Sequence, residues 1–136
     1  MMLGRKPNKA ETIYIERVTV AVGCVACHLT GMENDAPPEY LAFHHNPDKG
    51  SRDPLCHFFG VPMCPTHHQG HPQAGKDVPI RHRNYAHFKS LVGSDIDMAR
   101  FCWSRLPLEA QDQIGELTGI WDFNDLLLKD DEFRNQ

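Results

Sequence analysis

The sequence lacks any uninterrupted apolar run near the roughly 20 residues of a bilayer-crossing helix, so no membrane span and no membrane partner are expected. It also lacks the form of a secretory leader. Arg5, Lys6 and Lys9 are followed by apolar residues that Glu11, Glu16 and Arg17 interrupt, and a cytoplasmic location is expected. Repeats and low-complexity tracts are absent, which sets aside solenoid and fibrous architectures. At 136 residues there is chain for one core but not for two. Aromatic residues make up only 9%, and Phe88, Phe101 and Trp103 stand at helical spacing, as core residues do, rather than as a base-stacking platform.

Neither sign of charge dominates, but the net charge of -4 is unevenly spread. Residues 1–106 carry twelve Lys and Arg against ten Asp and Glu, and residues 107–136 carry two against eight. We therefore expect a domain over 1–106 with an acidic helical extension over 107–136, packed on it or projecting from it. The slight basic excess of the first part, with its histidines, permits nucleic-acid contact without requiring it.

Residues 12–22 read T-I-Y-I-E-R-V-T-V-A-V, and this period-two alternation of β-branched residues predicts a strand broken near Glu16 and Arg17. Gly23 is expected to open a tight turn that points Cys24 and Cys27 at one place. Residues 39–45, E-Y-L-A-F-H-H, predict a strand ending in paired histidines, and residues 57–63, H-F-F-G-V-P-M, predict a second one. Pro65 suits the first turn of a short helix that Gly70 and Pro72 stop. Helices are expected over 84–92, over 95–106 behind a Ser94 cap, and over 108–117 and 123–128. The fold class is α+β.

What the chain does have is cysteine and histidine, five and nine respectively. An odd number of thiols without an export signal argues for metal binding rather than a disulfide framework. Cys24 and Cys27 form C-x-x-C, and Cys64 and His67 form C-x-x-H. Two short-spaced pairs on segments that fold back together assemble a closed tetrahedral zinc site, which stabilises and does not catalyse. Cys56 and Cys102 are expected to be core thiols. His44 and His45 point to opposite sides of a strand end, while His68 turns about 100° from His67 on its helix, so histidines from two elements can meet over a second, open metal site.

The order C-x-x-C, F-H-H, loop, strand and V-P-M-C-P-T-H-H resembles the HNH nucleases, built on a ββα-metal core. Within them it most resembles the phage recombination-enhancement (Ref-like) nucleases that contain zinc. The resemblance runs from Cys24 to Gly93 through Arg81-His82 and Phe88. It implies that His44 and His68 ligate a catalytic divalent ion, that His45 is the general base, and that the third ligand is His82 in preference to His71. The family's middle asparagine is missing, which leaves His57 or Asn46 to support the site. The implied activity is metal-dependent DNA endonuclease chemistry of low sequence specificity, linked to recombination or DNA processing. The implied cofactors are a structural Zn2+ and a catalytic Mg2+, Mn2+, Ni2+ or Zn2+. Lys49, Arg52, Arg81 and Arg83 are candidate phosphate contacts. Partners would be DNA and a recombinase filament or other recombination protein. The alternative is a zinc-stabilised adaptor for DNA or a recombinase, without catalysis.

Overall fold

A computed structural model of the chain describes residues 6–32, 34, 36–45, 55–70 and 78–134. Its elements are α1 (Lys9–Val22), α2 (Val25–Thr30), β1 (Ala42–His44), β2 (Val61–Met63), α3 (Pro65–His68), α4 (Tyr85–Leu91), α5 (Asp95–Arg105), α6 (Leu108–Thr118) and α7 (Phe123–Arg134). The class is α+β as expected, mostly helical with one two-stranded sheet.

The first element corrects the reading of residues 12–22 as a strand. Asn8 accepts a hydrogen bond from the Glu11 N–H while the Glu11 carboxylate accepts one from the Asn8 N–H, each at 2.9 Å, forming a capping box that starts α1. From there Ala10, Tyr14, Val18 and Val22 recur at four-residue steps, and all are buried. The β-branched residues fit a strand locally, but strand preference depends on packing, and here one helical stripe reaches the core. By length and apolarity alone, Lys9–Thr30 would suffice to cross a membrane. It is divided at Gly23 and Cys24 into two helices that share their buried faces with the rest of the core.

Tyr14 is the centre of that core. Its ring stacks on Trp103 of α5 at 5.1 Å between centroids and meets Phe58 edge-on at 6.0 Å. The Tyr14 hydroxyl donates to the Gly60 carbonyl, and the Trp103 indole N–H donates to the Phe58 carbonyl, each at 2.9 Å. The two helices thereby grip the segment leading into β2. On its other side α1 meets α6 through buried Ala110 and Ile114, with an exposed Arg17–Glu109 ion pair at the rim. α6 therefore lies against α1 and α7 against α5.

The sheet is antiparallel, pairing Ala42 with Met63, Phe43 with Pro62 and His44 with Val61. Both strands are shorter than expected. Pro38–Tyr40 forms a 3-10 turn ahead of β1, and Cys56–Phe59 forms another ahead of β2. The reason at the second place is burial on all sides: Cys56, His57, Phe58 and Phe59 are all buried, which an alternating strand with one wet face does not provide. Gly60 then passes so close to Phe43 that a Cβ there would lie 2.1 Å from the ring. β1, β2 and α3 follow one another as strand, strand and short helix. Pro65, Ser94 and the helices behind them stand as predicted, and α7 continues to Arg134 beyond its expected end.

Candidate functional site

The C-x-x-C is not held on a simple turn. Gly23 adopts φ +68°, where a Cβ would also strike Asn34, and the chain turns there into α2 with Cys24 as its N-cap. The Asn34 side chain closes this corner, accepting from the Cys24 N–H at 2.8 Å and donating to the Val22 carbonyl at 2.7 Å. Cys27 sits one turn into α2, and its N–H points at the Cys24 sulfur from 3.4 Å. From the other side, Cys64 caps α3 and His67 stands within it.

These four residues converge, all buried. His67 Nδ1 lies 3.2 Å from Cys64 Sγ, 3.4 Å from Cys27 Sγ and 3.7 Å from Cys24 Sγ, and the Cys27 and Cys64 sulfurs are 3.9 Å apart. Bonds of zinc length to sulfur and nitrogen, arranged tetrahedrally, require edges of about 3.4 to 3.8 Å. The donor set and its spacing thus fit a structural metal ion, and the four donor atoms lie within 4.8 Å of one another. Hydrogen bonding from Cys24 lowers the Cys64 thiol, burial opposes it and His67 lowers it further, which makes Cys64 the thiol of this pair readier to ionise.

One residue further along α3, His68 is turned about 100° from His67 and meets His44 and His82. Their ring centroids are 5.2 Å (His44–His68), 5.3 Å (His44–His82) and 4.5 Å (His68–His82) apart. The Nε2 atoms of His68 and His82 are 2.9 Å apart, close to the roughly 3 Å between neighbouring nitrogens held at right angles by bonds of 2.1 Å. Burial, then the positive charge of His44, His82 and Arg81, lowers His68 to about 4. Burial, then His44 and Arg81, lowers His82 as well. At neutral pH these imidazoles therefore keep free lone pairs. His82 reaches them because residues 81 and 82 run beside α3, with the Arg81 N–H on the His67 carbonyl at 2.7 Å and the His82 N–H on the His68 carbonyl at 3.1 Å.

Both clusters border different space. The sulfur-rich one is closed, whereas His44, His68 and His82 open onto a cleft of about 670 Å³ whose walls include Thr12, Ile15 and Glu16 of α1 together with Phe43 and His45. His45 Nε2 stands 3.2 Å from Nδ1 of the fully buried His57. Burial, followed by the neighbouring His57 and His44, lowers its pKa.

The arrangement brings Cys24, Cys27, Cys64 and His67 to one point and His44, His68 and His82 to another, with His45 and His57 paired alongside. Arg81 requires a correction. It is not offered to a phosphate but is 9% exposed, stacked 3.7 Å over the Tyr85 ring and ion-paired to Asp95 at 2.8 Å. Arg83 is exposed. Asn46, Lys49, Arg52 and His71 lie outside the described residues. Sequence reasoning missed Asp95, whose Oδ1 is 3.2 Å from His44 Nε2. The only local signal was an acid beside the Ser94 cap, which any first helical turn can carry. Glu16 in the cleft wall was likewise unforeseen.

A closed Cys/His cluster able to hold a structural ion thus stands beside a cluster of three histidines that borders a cleft. A family model described as recombination enhancement, RecA-dependent nuclease matches residues 9–106. The chain belongs to that family, and it is a nuclease involved in recombination. A search of curated proteins finds no match.

Proposed function

We propose that this chain is a metal-dependent DNA endonuclease of the HNH type, hydrolysing phosphodiester bonds with little sequence preference. The observation that carries the reading is the convergence of His44, His68 and His82 on one cleft beside His45, from the end of β1, from α3 and from the turn that follows α3 along the chain. Cys24, Cys27, Cys64 and His67 hold a structural zinc that stabilises the fold. His44, His68 and His82 hold a divalent ion, which supplies charge stabilisation at the phosphate oxygens.

His45 is the general base. Its lowered pKa keeps it neutral and able to accept a proton from water at pH 7. His57 steadies its ring in place of the family's asparagine. Arg83, with Lys49 and Arg52, supplies phosphate contacts, which position a strand without reading its bases. The family's description names RecA, so a RecA filament on DNA is the partner we assign.

The test is nicking of supercoiled plasmid across a series of divalent metals, with and without RecA filament, on wild type, His45→Ala and Cys24→Ala. Loss of the base should slow turnover about 10²- to 10⁴-fold while the fold survives. Cys24→Ala should lose the fold itself. A wild type inactive under every condition, or a His45→Ala variant that nicks at the parental rate, overturns the proposal.

A further inference from the structure

The three clustered histidines do not present the same atom. His68 and His82 turn their Nε2 atoms toward each other, whereas His44 turns its Nε2 to Asp95 Oδ1. That carboxylate is 7% exposed and tightly held. Arg81 donates from Nε to Oδ1 at 3.1 Å and from Nη2 to Oδ2 at 2.8 Å. The Tyr85 hydroxyl accepts the Asp95 N–H at 3.1 Å, and the same Tyr85 ring supports the Arg81 guanidinium. The two-point ion pair with the Arg81 guanidinium holds Asp95 as a carboxylate.

A carboxylate paired to Arg81 can only accept hydrogen bonds, so the ring nitrogen facing it carries the proton, and in the neutral ring that a cation requires the lone pair falls on the other nitrogen. We propose that Asp95 is a positioning residue for the histidine centre, holding His44 as its Nε2–H tautomer so that Nδ1 is the atom offered to a cation, while His68 and His82 offer Nε2. This rests on the divalent-metal reading above and adds to it the ligating atom and the residue that sets it. A carboxylate behind a ligating histidine commonly fixes its ring and raises its basicity. The same Arg81 that holds Asp95 precedes His82 and is hydrogen-bonded to the His67 carbonyl, so one clasp aims His44 and seats the segment bearing His82.

Two measurements on the full chain, loaded with zinc at the cysteine cluster, decide the matter. In a long-range 1H–15N spectrum of the wild type without added second metal, His44 should show a protonated Nε2 and an unprotonated Nδ1. In Asp95→Asn the negative charge and one of the two accepting oxygens are lost, so the hold on the Nε2–H form weakens and the His44 nitrogen signals should move toward the other tautomer. Mn2+ affinity, read by electron paramagnetic resonance, should fall about 10- to 100-fold with zinc content unchanged. Asp95→Glu should recover part of that loss.

A wild-type His44 protonated at Nδ1 overturns the assignment even if Asp95→Asn fails to fold. So does an Asp95→Asn variant that folds and keeps both the tautomer and the Mn2+ affinity. A wild type that binds no Mn2+ at the histidines overturns the metal reading and the offered atom with it, whereas normal Mn2+ binding with the wrong tautomer overturns the role of Asp95 alone.

Discussion

Replacing Gly60 by alanine tests whether the core and the cleft are one mechanical unit. Gly60 is needed for space, since its φ of -80° suits any residue. A Cβ at this position would lie 2.1, 2.7 and 2.8 Å from three atoms of the Phe43 ring, where ordinary contact is 3.4 to 4 Å. To restore contact the ring must retreat by roughly 1.3 Å, and interiors packed this densely transmit such shifts to their neighbours. Phe43 has little room to retreat. Its ring meets Tyr14 edge-on at 6.2 Å and His45 at 5.5 Å, and Tyr14 is itself tied to the Gly60 carbonyl.

Overpacking of this kind costs about 1–3 kcal/mol. For a chain of this size that is a fall in melting temperature of roughly 3–15 °C. Displacing the base by a comparable distance should slow nicking by about 10- to 100-fold at a temperature where both proteins remain folded. Calorimetry, urea titration and plasmid nicking read the two effects separately. If Gly60→Ala stays within about 0.5 kcal/mol of wild type and nicks at the parental rate, the close approach of Phe43 does not couple core to cleft, and the reasoning is wrong.

Removal of the structural ion should have the largest effect. Structural zinc binding is worth about 10–16 kcal/mol, as much as a domain's whole stability, so chelation at neutral pH should abolish cooperative melting and zinc should restore it. An unchanged melt in protein shown by elemental analysis to be free of metal would contradict this. Tyr14→Phe should cost about 1–2 kcal/mol in urea titration by leaving the buried Gly60 carbonyl without its donor, and a neutral result would show that this carbonyl finds another partner. Asp95 titrates in the fold near 2, below the 3.8 of the free side chain, so its contribution is complete above about pH 4 and is lost as pH falls through 2. The stability gap between wild type and Asp95→Asn, on the order of 2 kcal/mol, should therefore narrow between pH 5 and pH 2.5. A gap that stays constant over that range would contradict the depressed titration.

The parts of the molecule readable in advance are those whose chemistry is local. Cys24-x-x-Cys27 and Cys64-x-x-His67 announce a cluster by spacing alone, Ser94 marks a helix start through its bond from the Asp97 N–H three positions on, and Pro65 marks one through its fixed φ and missing N–H. The divergence of His67 and His68 by about 100° follows from the pitch of a helix. α1 was misread because its β-branched residues satisfy a period of two as well as four, and what decides between them is the stacking of Tyr14 on Trp103, far along the chain. Arg81 and Asp95 were hidden for the same reason. A charge beside a helix cap gives no sign that it will be buried between a histidine from β1 and an arginine from the segment before α4. The cleft wall contributed by α1 could not be foreseen while α1 was taken for a strand.

The placement of His67 and His68 on successive positions of α3 makes the length of that short helix as important as its composition. One residue inserted between Cys64 and His67 would turn the ring meant for sulfur company by about 100° toward the open side, and one residue deleted there would draw His68 inward to the cysteines. Anchor and workplace share a single backbone turn, so neither can be re-spaced without the other, and variation in chain length has to be absorbed outside it.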